Sequence, residues 1–363
     1  GRCSTCGEWG TVAEEAAPAA AARRAAPLGP VPVVTRLADL VDDAPARRTT
    51  GIGELDRVLG GGLVPGSLVL LGGEPGIGKS TLLLQVSETL ARRGSVVLYV
   101  SGEESPAQVR LRADRIGASA PALHVLGETD VDGILSEVER VQPAAVVVDS
   151  VQVVHDRALS SAPGTVSQVK QAADRFQRLA KQRGVAVVLI GHVTKEGTLA
   201  GPRTLEHVVD TVLAFESEMG HVHRLVRTLK NRFGPSGEVG VFEMGGSGLT
   251  EVPDASRMFL AERRSGASGT IVFPCIEGTR PMLVEIQALV GALPSPQPRR
   301  MSLGFDANRL TLLLAVLQRI LQNPLLDRDV FVNVVGGLKL RETAADLPVA
   351  LAILSSWSES PVP

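Results

Sequence analysis

The residues best able to do chemistry in this 363-residue chain are nine in a row. Gly73, Glu74, Pro75, Gly76, Ile77, Gly78, Lys79, Ser80 and Thr81 satisfy the pattern G-x-x-x-x-G-K-[ST] at every defined position. Glycines let backbone N–H groups turn inward around phosphate oxygens. Lys79 brings an ammonium to β- and γ-phosphates, and Ser80 brings a hydroxyl for Mg2+. The implied chemistry is that of a nucleoside triphosphate bound with its metal.

Further stretches carry groups that such a site uses. Residues 144–149 form an apolar run ending in Asp149. In a parallel sheet that end opens on the ligand crevice, where Asp149 would hold Mg2+ directly or through water. Glu103 and Glu104 follow another apolar run, 96–101. A carboxylate there would polarise the water that attacks the γ-phosphate. Either glutamate is equally explained by a helix start, where an acid complements the dipole, and the choice between the two stays open. His192 follows the run 185–190 and is placed to sense the γ-phosphate. The glycine-bearing loop beyond it carries Lys195 and Arg203. That loop reads either as a solvated connection or as a moving element that touches an anionic polymer. Lys230, Asn231, Arg232, Phe233 and Gly234 lie between two late strand patterns. They read as a basic surface turn, or as cations reaching a neighbouring subunit's phosphates or a nucleic-acid backbone.

Cys3 and Cys6 form a C-x-x-C pair. Zn2+ asks for a closed tetrahedral shell of four ligands. The pair therefore reads as half a zinc ribbon whose other half would precede Gly1, with a redox pair or two idle thiols as alternatives. Little zinc is expected on two thiolates alone.

These groups need a scaffold to meet. An apolar strand pattern at 67–72 precedes the glycine loop, and Leu82, Leu83, Val86 and Leu90 follow at helical spacing. Beyond it, helices are expected at 106–116, 131–141 and 166–183, and strands at 96–101, 123–126, 144–149 and 185–191. The helix at 166–183 is expected to bury Val166, Val169, Ala173, Phe176 and Ala180 along one face. Such alternation predicts an α/β fold with a mostly parallel sheet covered on both sides. Patterns at 223–229 and 238–243 predict an antiparallel extension. A second unit follows, with strands at 270–276, 282–288 and 329–335, a loop at 294–300, and helices at 309–321 and 344–356. The expected division is 1–12, a zinc-ribbon remnant; 13–34, an Ala/Pro linker; 35–254, the ATPase core; and 255–363, a shortened second domain.

Composition narrows the rest. The net charge of −2 announces no nucleic acid globally, so such binding needs a local basic surface. With 3% aromatics the cores must be built from Val, Leu, Ile and Ala. No apolar run is long enough to span a membrane. Three cysteines make no even disulfide framework, which fits a reducing cytoplasm; Cys275, inside a strand pattern, is expected to be buried. The chain begins at Gly1 without Met and is read as a fragment.

Together these residues resemble the RadA/Sms family of bacterial DNA-repair ATPases. Cys3-Ser4-Thr5-Cys6-Gly7-Glu8-Trp9 is similar to the second half of that family's four-cysteine motif, and 50–55 with 60–81 to its RecA-like P-loop core. Residues 191–197 resemble its mobile DNA-facing loop, and Lys-Asn-Arg-Phe-Gly at 230–234 its signature. The resemblance implies ATP and Mg2+ as cofactors, with Zn2+ in the complete protein. It implies a homo-hexamer with ATP at subunit boundaries, acting on single-stranded and branched DNA beside a RecA-type recombinase. The implied activity is a helicase or branch-migration motor in homologous recombination. A nucleotide-gated ring that assembles or signals without motor activity is the alternative. The C-terminal domain resembles the α+β Lon protease domain, whose serine nucleophile corresponds to Ala344 here. Lacking a hydroxyl there, the domain is expected to be proteolytically inactive, a ring scaffold with a basic surface including Arg299 and Arg300. Lys339 is not expected to be a catalytic lysine.

Overall fold

The computed structural model describes residues 36, 46–192, 205–217, 223–260, 263–264, 266–291, 296–322 and 325–362. Cys3, Cys6, the 13–34 linker, Lys195 and Arg203 lie outside the described residues. The chain divides into Gly1–Ala44, of which Arg36 is described, and Pro45–Pro363, the unit that follows.

A short helix α1 (Gly53–Leu59) precedes β1 (Leu68–Gly73) and α2 (Lys79–Arg92). Then come β2 (Val97–Ser101), α3 (Pro106–Ile116), β3 (Leu123–Gly127), α4 (Val131–Val141), β4 (Ala145–Asp149), α5 (Val166–Arg183) and β5 (Ala186–His192). The strands β6 (Thr211–Glu216), β7 (His223–Asn231), β8 (Val239–Gly245) and β9 (Gly248–Glu251) complete the first sheet. Its order is β3-β2-β4-β5-β1-β6-β7-β8-β9. Pairing is parallel from β3 through β6 and antiparallel from β6 to β9.

Sequence explains this layering. β1, β2 and β4 are buried along their whole length. Strands covered on both faces need apolar side chains at every position, so they read as runs rather than alternations. One face packs Tyr99, Val147 and Val188 with α2 residues Leu82, Leu83 and Val86. The other packs Leu98, Val146 and Val148 against Phe176 and Ala180 of α5. Helix starts are chemically marked. Ser105 accepts from the Gln108 N–H while the Gln108 side chain accepts from the Ser105 N–H, and Pro106 sits in the first turn of α3. The expected stripe on α5 holds from Val169 onward, with Ala172 and Leu179 added. Val166 departs from it: it is 53% exposed, while Gln168, in the same first turn, is buried against the 156–161 segment.

A second, four-stranded sheet has the order β10-β11-β13-β12. It is built from β10 (Thr270–Glu277), β11 (Arg280–Val290), β12 (Arg300–Leu303) and β13 (Val330–Val334). It is preceded by α6 (Ala255–Phe259) and packs with α7 (Ala307–Leu321) and α8 (Asp346–Ser358). Three strands, β6, β9 and β12, lie outside the expected ranges. β9 and β12 have four residues each, and β12 is an exposed edge strand, so neither shows an apolar alternation. The expected loop 294–300 gives way at Arg300, where β12 begins. Cys275 is 2% exposed on β10, and burial pushes its thiol up to about 11, which makes it a poor nucleophile.

The core of the second sheet extends into the first. Val239 and Val241 of β8 pack with Phe273, Val284, Val332 and Ile353. Beside them lies a buried ion pair, Arg280 Nη1 to Glu54 Oε2 at 2.5 Å, with side chains 8% and 4% exposed. The same Glu54 oxygen accepts the Val241 N–H at 2.9 Å, and Arg280 Nη2 donates to the Pro253 carbonyl. Removing one member of a buried pair strands the other charge, which costs about 3–5 kcal/mol. Arg280→Ala is expected to lose stability on that scale in chemical denaturation; a loss below about 1 kcal/mol, the range of an exposed pair, would contradict it.

Candidate functional site

β1 delivers the chain into the glycine loop, and α2 starts at Lys79. Two glycines there are sterically required. A Cβ on Gly73 would lie 2.7 Å from the Phe215 carbonyl oxygen of neighbouring β6. Gly78 has φ +116°, and a Cβ there would lie 2.5 Å from Met244 Cε. The loop is thus pressed between β6 and the β8–β9 hairpin. Gln85 of α2 binds that hairpin twice, accepting from the Leu249 N–H at 2.9 Å and donating to its carbonyl at 3.0 Å.

In the order β2-β4-β5-β1, the carboxyl ends of four adjacent strands converge. Their side chains enclose a cleft of ≈ 300 Å³. Pro75, Gly76, Gly78, Lys79, Ser80 and Thr81 line it together with Glu103, Glu104, Asp149 and His192. Gly73 and Glu74 contribute backbone instead: Lys79 Nζ donates to both carbonyls at 2.8 Å. Ile77 is a core residue, 4% exposed.

The electrostatics are tightly coupled. Burial lowers the Lys79 ammonium from its ordinary value to about 8, against the opposing pull of Asp149, Glu103 and Glu74. His192 bridges the groups around it: Nδ1 is 3.3 Å from Lys79 Nζ, and Nε2 is 3.0 Å from Glu103 Oε1. Glu103 also accepts from the Ser150 hydroxyl. Burial pushes the Glu103 carboxyl up, but the bonds from Ser150 and His192 and the charge of Lys79 outweigh it and hold it below the usual range. Glu104 is instead ion-paired with Arg112 of α3. Asp149 Oδ2 accepts from the Tyr99 hydroxyl at 2.6 Å. Burial, with Asp149 beside it, holds that hydroxyl well above its ordinary range, so it remains a donor.

Ser80 and Asp149 offer a hydroxyl and a carboxylate to one cleft. Hard oxygen donors of this kind suit Mg2+, which usually takes one or two protein ligands and fills its octahedron with water and phosphate. The donor set therefore fits Mg2+ carried with a triphosphate.

The 230–234 stretch does not line this cleft within its own chain. Lys230 Nζ donates to the Glu206 and Val209 carbonyls. Asn231 donates to the Leu59 carbonyl at 3.2 Å and accepts from the Phe233 N–H at 3.0 Å. Arg232 pairs with Asp210 at 2.9 Å, and Asp210 in turn accepts from the Leu68 N–H that opens β1. Gly234 closes against Gly60. Arg299 and Arg300 are exposed at the start of β12, and Ala344 and Lys339 are exposed near the start of α8.

Sequence reasoning did not reach Arg112, Arg115, Ser150 or Tyr99. Ser150 directly follows Asp149, and Tyr99 is the single tyrosine of the chain, so both left a signal. Arg112 and Arg115 line the cleft from the middle and end of α3, where only the fold could bring them.

A glycine loop and amphipathic helix behind a buried strand, with an acid two strands away, define a RecA-like P-loop ATPase. A family model described as an AAA domain matches residues 35–198. The DNA repair protein RadA of Bacillus subtilis (strain 168) is 49% identical over 365 residues, covering 99% of this chain and 80% of that protein. Its counterpart in Pseudomonas aeruginosa is 50% identical over 366 residues, covering 100% and 80%. That of Brucella abortus (strain 2308) is 48% identical over 373 residues, with the same coverage. The chain belongs to the RadA family of DNA repair proteins. Among solved structures, a KaiC-like protein from Pyrococcus horikoshii OT3 shares 22% identity at TM-score 0.48, over 57% of this chain and 99% of that one, a likeness too distant to bear on function. Among the described residues no helix is long and apolar enough to cross a membrane.

The lowered ammonium has a measurable consequence. A polyphosphate beside Lys79 favours its charged form, so binding raises its pKa from about 8 in the free protein. ATP binding at pH 8.5 is expected to take up protons, and affinity to fall as pH rises through that range; at pH 6.5, where Lys79 is charged before and after, this uptake vanishes. Calorimetry in buffers of different ionisation enthalpy reads the difference directly. Equal proton exchange at both pH values would contradict the coupling.

Proposed function

We propose that this protein is a DNA-dependent ATPase motor of homologous recombination, working as a homo-hexamer on single-stranded and branched DNA. The observation that carries the reading is His192, which touches Lys79 with one ring nitrogen and Glu103 with the other. A single side chain thereby links the phosphate-gripping cation to the acid that prepares water. Lys195 and Arg203 follow it in the sequence.

In this mechanism Lys79 exchanges its two carbonyl partners for β- and γ-phosphate oxygens. Glu103, held by Ser150 and His192, orients the attacking water and accepts its proton. Ser80 and Asp149 would hold Mg2+ from the protein side, where it would supply charge neutralisation on the phosphates. Loss of the γ-phosphate frees His192 to shift, and Lys195 and Arg203, which follow it in the sequence, engage the DNA backbone. Lys230 and Arg232 of one subunit complete the site of the next. The 255–363 region serves as a Lon-protease-like scaffold of the ring, without peptidase activity because Ala344 has no hydroxyl. A recombinase of the RecA type supplies the joints on which the motor acts.

The two neighbouring glutamates are separable by mutation. Removing a general base costs about 100-fold or more in rate. Glu103→Gln is expected to lose turnover on that scale while retaining ATP binding, and Glu104→Gln to lose far less, because its partner is Arg112. Equal losses would remove the distinction.

The decisive experiment measures ATP hydrolysis with and without single-stranded DNA, beside a sizing measurement. Turnover is expected to rise with DNA, to vanish in Lys79→Ala, and to lose its DNA response in Arg232→Ala with nucleotide binding intact. With 3% aromatics, stacking platforms are scarce and backbone charge dominates contact, so affinity for single strands should fall steeply with salt. Turnover indifferent to DNA would favour a nucleotide-gated ring without motor activity.

A further inference from the structure

We propose that Tyr99 is a positioning residue for the cation-binding carboxylate of the cleft, a role that rests on the assignment of Asp149 to the Mg2+ site. Tyr99 is fully buried at the middle of β2. It stands opposite Val147 of β4 and Val125 of β3, and its ring lies in one apolar layer with Val97, Val147 and Val188. Asp149 is two residues beyond Val147 on the same face of the strand, roughly 6.6 Å farther along. The tyrosine side chain spans that offset and places its hydroxyl 2.6 Å from Asp149 Oδ2.

Packing alone does not call for a hydroxyl here. Every other β2 residue up to Ser101 is aliphatic, and phenylalanine would fill the same volume without needing a partner. What the hydroxyl adds is one short, charge-assisted bond to a carboxylate. Other hydroxyls nearby are committed elsewhere. Ser101, the cross-strand partner of Asp149, donates to the Glu104 carbonyl at 2.7 Å, and Ser150 donates to Glu103. The Tyr99 bond occupies Oδ2 and fixes the plane of the carboxylate, which leaves Oδ1 as the oxygen offered to the metal or its water. Mg2+ tolerates little departure from octahedral geometry, so a carboxylate free to rotate would hold it less well. Partners that orient metal ligands from behind typically matter about 10- to 100-fold in metal affinity.

The test uses the full chain and its Tyr99→Phe variant, with a fluorescent ATP analogue at fixed concentration. Mg2+ is titrated, and nucleotide affinity is measured separately in EDTA. The expected result is an Mg2+ requirement raised about 10-fold, with affinity in EDTA unchanged. A merely structural hydroxyl would lower the melting temperature and leave the Mg2+ curve where it was, and coincident Mg2+ curves overturn the proposal whatever the stability. If the variant does not fold, the wild-type protein gives the answer. Its one tyrosine should show an absorption difference when Mg2+ is added to the ATP-analogue complex, and a flat tyrosine band overturns the proposal. Wild-type affinity that ignores Mg2+ altogether would overturn the Asp149 assignment beneath it, an outcome distinguishable from failure of Tyr99 alone.

Discussion

The structure depends on a buried ammonium. Lys79 is 4% exposed and is held by two backbone carbonyls of the loop that precedes it. Burying a cation costs several kcal/mol unless it is paired, and here neutral oxygens supply the nearest contacts. The loop therefore keeps its cation solvated by its own backbone and can exchange that shell for phosphate oxygens of greater charge. Glu103, Asp149 and His192 have meaning only relative to this point, since each faces the same ≈ 300 Å³ cleft.

A second constraint surrounds the first. The glycine loop admits no side chain at Gly73, where a Cβ would meet the β6 backbone, and Gly78 holds a φ of +116° that favours glycine. The β8–β9 hairpin is tied to α2 through Gln85, and Glu251 of β9 accepts the Glu54 N–H at 3.1 Å. Glu54 in turn holds Arg280 of the second sheet. A chain of polar contacts, part-buried at Gln85 and Glu251 and buried at Glu54 and Arg280, thus runs from α2 to the C-terminal sheet.

Most of the first sheet was legible because its strands are buried on both faces. Unbroken runs such as 145–149, each closed by a polar residue, mark strand and ligand edge at once. The motif at 73–81 was legible because its pattern fixes glycines, a lysine and a hydroxyl at set spacings. What escaped was of two kinds. Short edge strands such as β12 carry no alternation, since both their faces meet solvent. Positioning groups such as Tyr99, Ser150 and Arg112 act across strands and helices, and linear spacing does not reveal who faces whom. The choice between Glu103 and Glu104 belongs here too. Adjacent residues differ only in direction, and direction came from Ser150 and His192 on one side and Arg112 on the other. Val166 was misplaced for a related reason: helical periodicity favoured Val166 in the first turn, whereas the 156–161 segment buries the polar Gln168 instead.

The central claim is that Lys79 trades its carbonyl partners for a triphosphate. The most direct measurement is a crystal structure of the chain with Mg2+ and a non-hydrolysable ATP analogue. The account predicts Lys79 Nζ within hydrogen-bond distance of β- and γ-phosphate oxygens, with its bonds to the Gly73 and Glu74 carbonyls broken. Phosphates bound elsewhere, with Lys79 still closed on those two carbonyls, would contradict it.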